Sequence, residues 1–137
     1  MAFVMTNEGV ESQALVKLGK NTFTQWYIGL FSNNRDPLVT DSWALNPWSG
    51  FAPTIDEEPV DYTSWNGTAT GGVWTGVCNP LVFTLSASNA GQVIYGYYIR
   101  NTDASPILLG AELYSSPYTI PGGGGLWSVA PQDVFQG

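Results

Sequence analysis

The sequence predicts an all-β fold, a β-sandwich or jelly-roll of about 7–9 antiparallel strands with one short N-terminal helix. Three observations carry this expectation. Apolar residues make up 44% of the chain and charged residues 11%, with six Trp, seven Tyr and six Phe, a balance that suits aromatic β-cores and excludes a disordered chain. Sixteen Gly and nine Pro supply many turns. Apolar residues also alternate with period two through segment after segment of the second half. At this length, residues 1–137 are expected to form a single domain with one core.

The helix is expected over residues 6–19. Val10, Ala14 and Leu18 recur at i, i+4 and i+8, with Leu15 alongside, which makes one apolar stripe. Thr6 or Asn7 can cap it, Glu8 and Glu11 suit the positive end of the dipole, and Gly19 stops it. The stripe has to cover either the sheet or a neighbouring subunit. Residues 23–31 then alternate, with Trp26, Ile28 and Leu30 on one side, and the turn residues from Ser32 to Pro37 end the strand.

Residues 32–72 read as an irregular Pro/Trp-rich insertion. Pro37, Pro47, Pro53 and Pro59 suppress long helices and central strands, apart from a possible short strand over residues 60–64. The second half is a succession of strands. Residues 73–78 form one, and Leu81, Phe83 and Leu85 mark the next. Residues 93–101 place Val93, Tyr95, Tyr97 and Ile99 on one side, and residues 107–114 do the same with Ile107, Leu109, Ala111 and Leu113. A hairpin loop over 101–106 joins these two. Residues 118–120, the glycine run 122–125 and a strand over 126–129 complete the domain.

Charge and composition exclude several functions. The net charge is −7, with only Lys17, Lys20, Arg35 and Arg100 as cations, which argues against nucleic acid and anionic membranes as partners. No apolar run approaches the ~20 residues of a membrane span, and residues 1–5 lack the basic region of a signal peptide. There is no histidine, so Ser–His–Asp and Cys–His chemistry is impossible. Cys78 is the only cysteine, which rules out an intrachain disulfide and the usual zinc sites, and it reads as a small buried hydrophobe. Asp56, Glu57, Glu58 and Glu112 are the carboxylates a glycosidase would need, but a solvated loop and a solvated strand face account for them. Asp61 with the acidic trio matches no calcium-loop spacing. The glycine run lacks the Lys-Ser/Thr ending of a phosphate loop. Asn66-Gly67-Thr68 is a glycosylation sequon without a secretory context. No catalytic, cofactor or metal site is therefore expected, and the chain reads as a non-enzymatic binder of other surfaces.

Trp43, Trp48, Phe51 and Trp65, scattered among the prolines, are the expected interface anchors, with Leu15 and Leu18 of the helix stripe. A lectin would use Trp43, Trp48 or Trp65 as stacking platforms.

Several stretches together resemble small virion proteins of tailed phages, including cyanophages, of the capsid cement or decoration kind. They are residues 6–19 followed by Trp26-Tyr27-Ile28-Gly29-Leu30-Phe31-Ser32-Asn33-Asn34, then Ile94-Tyr95-Gly96-Tyr97-Tyr98-Ile99, then the run from Leu108 to Pro121. The resemblance spans both ends of the chain and leaves out the Pro/Trp-rich middle. It implies a β-sandwich on the outer surface of the major capsid protein lattice, made in the host cytoplasm and carried in the virion. A homo-oligomer is implied too, with a trimer the expected form. An acidic body would complement a basic patch on the shell. The alternatives are a tail- or fibre-associated receptor-binding protein and a carbohydrate-binding β-sandwich module.

Overall fold

The computed structural model describes residues 3–20, 25–60, 65–102 and 105–136, among which ten strands and one α-helix form. The strands are β1 (Val4–Met5), β2 (Trp26–Phe31), β3 (Glu58–Val60), β4 (Trp65–Thr70), β5 (Val73–Cys78), β6 (Leu81–Leu85), β7 (Val93–Asn101), β8 (Leu108–Thr119), β9 (Gly125–Val129) and β10 (Gln132–Gln136). Helix α1 (Asn7–Lys17) lies between β1 and β2. The fold is all-β with antiparallel sheets and a short N-terminal helix, as the alternation predicts.

One layer is a five-stranded sheet in the order β1-β8-β7-β2-β3. The other layer is built on a long ribbon. β6 pairs with β9 and β5 with β10, so residues 73–85 run antiparallel to residues 125–136. The register slips by one residue midway, since Leu81 faces Val129 whereas Val77 faces Gln132. Pro80 and Pro131 sit at the slip, where neither can donate to the ladder. The Cys78 N–H spans it by donating to the Pro131 carbonyl at 2.9 Å. β4 adds to the other side of β5 through the two-residue turn Gly71-Gly72, whose φ values of 60° and 79° fit a type I′ hairpin.

The main core lies between the layers. Ile28, Leu30, Val60, Ile94, Ile99 and Leu109 from the sheet meet Cys78, Phe83, Leu85 and Val129 from the ribbon. Each such side chain, taken out of water, contributes roughly 1.5–3 kcal/mol. Cys78 is buried as expected, and burial pushes its thiol pKa up.

Simple alternation fails in two places, and in both the pairing of β7 with β8 explains it. The register shifts between Ile94 and Gly96, so Ile94 joins Tyr97 and Ile99 on the core side while Tyr95 packs with Tyr98 on the other. A second shift between Ile99 and Arg100 separates Leu109, which enters the main core, from Ala111 and Leu113, which do not. Bulges of this kind turn a strand over, and one extra residue reverses every later side chain.

Of the helix stripe, Leu15 is half-buried, while Val10, Ala14 and Leu18 are exposed, Val10 by 53% and Leu18 by 72%. Docking occurs through the N-terminal turn. Thr6 is buried, accepts from the Gly9 N–H at 3.0 Å and donates to the Leu108 carbonyl. Gly9 packs so closely that a Cβ would collide with the backbone of Leu109. Residues 65–70, expected within the irregular insertion, form the regular strand β4, and the insertion also contains β3. Thr6→Ala removes both the cap and the tie to β8, and a loss of about 1–2 kcal/mol is expected in urea unfolding. An unchanged midpoint would show that the helix end contributes nothing to stability.

Candidate functional site

The face of the five-stranded sheet turned away from the ribbon is also apolar. Phe31, Leu108 and Ala111 are buried there, with Tyr95, Tyr98 and Leu113 beside them. Residues 32–57 cover this face without regular structure and fix their path by their own hydrogen bonds. The Ser32 N–H donates to the Ser49 carbonyl at 2.9 Å, and the Asn33 amide bridges the Pro47 carbonyl (3.0 Å) and the Ser49 N–H (2.8 Å). Gln92 clamps Ala52 through both its N–H and its carbonyl, at 3.2 and 2.6 Å. Glu8 holds the loop to the sheet, its Oε1 accepting from the Trp43 N–H (2.8 Å) and from the Leu108 N–H (2.6 Å).

Two ion pairs set the aromatic residues of this loop. Arg35 meets Asp41 in a two-pronged bond at 2.6 and 2.7 Å, and Asp41 also accepts from the Leu38 N–H at 2.7 Å. Arg35 stands over the Trp48 ring, 5.4 Å from its centroid. Arg100, on β7, meets Glu57 at 2.7 and 2.8 Å, and the Tyr98 hydroxyl donates to the same carboxylate at 3.0 Å. The Arg100 guanidinium lies between Tyr27 and Trp43, 5.4 and 5.1 Å from their rings. The Arg35 bond holds the Asp41 carboxyl below its ordinary range. For Glu57, burial opposes ionisation, but the bonds from Arg100 and Tyr98 outweigh it and the pKa is lowered. A carboxylate locked in this way is held as an anion and is a poor proton donor.

The sequence candidates are thereby placed. Trp48, expected as an exposed anchor, is a core residue at 7% exposure, stacked on Phe31 with ring centroids 4.5 Å apart. This corrects the anchor expectation: Phe31, which β2 points away from the main core, needs a large flat cover. Trp43 is half-buried against Tyr98 and Arg100, and Phe51 is half-buried against the main core. Trp65 opens β4, but its side chain lies outside the described residues, as does Asp61. Leu15 is half-buried and Leu18 exposed. Of the carboxylates, Asp56 is exposed, and Glu58 and Glu112 are half-buried on β3 and β8. The structure does not gather them, and among the described residues no three His, Cys, Asp or Glu side chains lie together.

Two further features escape sequence reasoning. A cavity of about 230 Å³ opens between the loop and the sheet, lined by Trp43, Asn46, Trp48, Ser49 and Tyr98 among others. The buried indole N–H of Trp48, which lines it, has no acceptor among the described residues. The second feature is a neutral surface. No charged residue occurs between Asp61 and Arg100. Among the described residues the outer face of the ribbon shows Thr75, Val77, Val82, Thr84, Leu126 and Ser128, with Val77 40%, Val82 47% and Leu126 68% exposed. Val82 and Leu126 are diagonal neighbours, because Thr84 faces Leu126 and Val82 faces Ser128.

The lowered carboxyl groups fix the acid response. Their contribution is complete above the ordinary values of 4.5 for Glu57 and 3.8 for Asp41, and drains away as the pH falls through the lower folded values. Thermal unfolding followed from neutral pH downward is expected to lose stability in that window. Glu57→Gln is expected to cost about 1.5–3 kcal/mol at neutral pH and to flatten the acid limb, because the variant has no charge left to lose there. An acid limb as steep as that of the parent would remove Glu57 from the account.

Comparison with known proteins finds no matching family model, no matching curated protein and no matching solved structure, so the architecture and its surfaces stand on their own geometry.

Proposed function

We propose that this chain is a non-enzymatic structural protein that decorates the outer surface of a tailed-phage head, binding the major capsid protein lattice. The observation that carries the reading is the exposed uncharged patch of Thr75, Val77, Val82, Thr84, Leu126 and Ser128 on the outer face of the ribbon. The centre of a protein interface is depleted of charge, and exposed apolar side chains clustered on a rigid sheet mark such a surface. The acidic remainder of the molecule steers it toward a basic lattice and keeps the free protein soluble. The resemblance of residues 6–19, 26–34, 94–99 and 108–121 to capsid cement proteins supplies the choice of lattice.

The test is to quantify the chain against the major shell protein in gradient-purified particles. Decoration requires a ratio of the same order as the shell subunits, and a handful of copies or none overturns it. Val82→Glu with Leu126→Lys is expected to lower occupancy about tenfold or more while leaving the unfolding midpoint within a few degrees, since both side chains face solvent.

A second reading, saccharide binding by a tail- or fibre-associated protein, draws on the cavity beside Trp43, Trp48 and Tyr98. Its aromatic walls and the unpaired Trp48 N–H suit a neutral polyhydroxylated ligand. Saccharide-dependent quenching of Trp fluorescence, lost on Trp43→Ala, would favour it.

A further inference from the structure

We infer that β4 is a self-pairing edge, through which two copies of the chain join their ribbon sheets across a two-fold axis. The sheet containing β4 ends at that strand, in the order β10-β5-β4. The direction of its free backbone groups follows from the hairpin. In a two-residue type I′ hairpin the residues flanking the turn, Thr70 and Val73, form a hydrogen-bonded pair, and bonded and non-bonded pairs then alternate. Thr68 and Asn66 therefore bond to β5. Trp65, Gly67 and Ala69 turn both their N–H and C=O groups away from it, toward solvent.

Natural sheets protect such edges with prolines, inward charges or brevity. Other edges of this protein are protected in those ways. β3 carries Glu58 and Pro59, β1 is two residues long, and β8 carries Pro117 beyond its pairing with β1. β4 has none of these devices: over six residues, Trp-Asn-Gly-Thr-Ala-Thr, it contains no charge and no proline, and Asn66 to Thr70 are all exposed.

Two arguments select a second copy as the occupant. The first is register. An antiparallel pair centred on Gly67 sets Trp65 opposite the partner's Ala69 and Gly67 opposite its own counterpart. All three outward-facing residues then exchange both their hydrogen bonds at once, so the edge is complementary to itself. The second is charge. Two copies of a chain with net charge −7 repel over most of their surface, but the β4–β5 hairpin lies wholly within the charge-free stretch between Asp61 and Arg100. Like charges approach least there. The resulting pair has a two-fold axis, which differs from the trimer expected above. It does not depend on where the protein acts, so it stands apart from the decoration reading.

Sedimentation velocity of the full chain over a concentration series tests it. The expected result is a reversible species of twice the 14.8 kDa chain mass. Ala69→Pro removes an outward N–H and spares the ladder to β5, and it is expected to raise the dissociation constant about tenfold or more, because the two-fold axis loses that bond twice. Gly67→Lys keeps the N–H and sets two cations opposite each other at the axis. Its dissociation constant should rise at low salt and recover as salt screens the pair, which separates lost pairing from misfolding. A chain that stays monomeric at every concentration overturns the proposal. So does a dimer whose dissociation constant neither substitution changes.

Discussion

The strands β2, β7 and β8 are apolar on both faces, and most of the structure follows from covering both. On one face β2 offers Ile28 and Leu30 to the ribbon; on the other it offers Phe31. An antiparallel sheet can leave one face in water, but a face bearing Phe31, Leu108 and Ala111 cannot be left so without exposing a large apolar patch. The ribbon covers the first face. No strand is available for the second, so a loop and one end of a helix perform that task.

A loop that acts as a core layer has to be immobilised without a ladder, and the chain does this with its scarce charges. Two of its four cations, Arg35 and Arg100, are committed to Asp41 and Glu57, and each also lies over an indole ring of the same loop. Glu8 binds the loop and β8 at once. Side-chain exposures of 33% for Arg35 and 3% for Asp41 give this pair little screening by water on the carboxylate side, so it is worth more than an ordinary surface bridge. The carboxylates of Asp41, Glu57 and Glu8 therefore act as fasteners. The cations outside these pairs are Lys17 and Lys20 at the helix end, which leaves the molecule strongly acidic away from the uncharged stretch between Asp61 and Arg100.

The legible part of the fold was whatever depended on local alternation. β2, β5, β6 and β9 show it plainly, and the glycine run leads by a turn into β9, with the Gly124 N–H bonded to the Pro121 carbonyl at 3.0 Å. Faces were misread wherever pairing overrode alternation. Nothing local in residues 93–101 announces that Tyr95 sits at a bulge, because the shift arises in the match to β8. β4 was hidden by composition, since Asn, Gly and Thr carry little strand signal until Gly71-Gly72 is recognised as a hairpin turn. The helix and its Thr6 cap were legible, but Thr6, Glu8 and Gly9 dock it end-on, through groups that periodicity does not score. The tryptophans misled most. Their chemistry suits an exposed anchor and a core cover equally, and only the presence of Phe31 on the open face decides for Trp48.

That decision changes what kind of binder this can be. If Trp48 is the cover of a core and Trp43 is pinned between Arg100 and Tyr98, neither is free to plug a partner's pocket as an aromatic hot spot. The exposed neutral surface offers instead small apolar and hydroxyl side chains, Val77, Val82, Thr84 and Leu126, together with the bare backbone edge of β4. Each of these makes a modest contact. A protein built this way holds a partner firmly only when several copies engage a repeating surface at once, because linked weak contacts multiply where single ones dissociate. The need to cover both faces of one sheet thus takes Trp48 off the surface and pins Trp43 against it, and what the described residues leave exposed is a set of individually modest contacts.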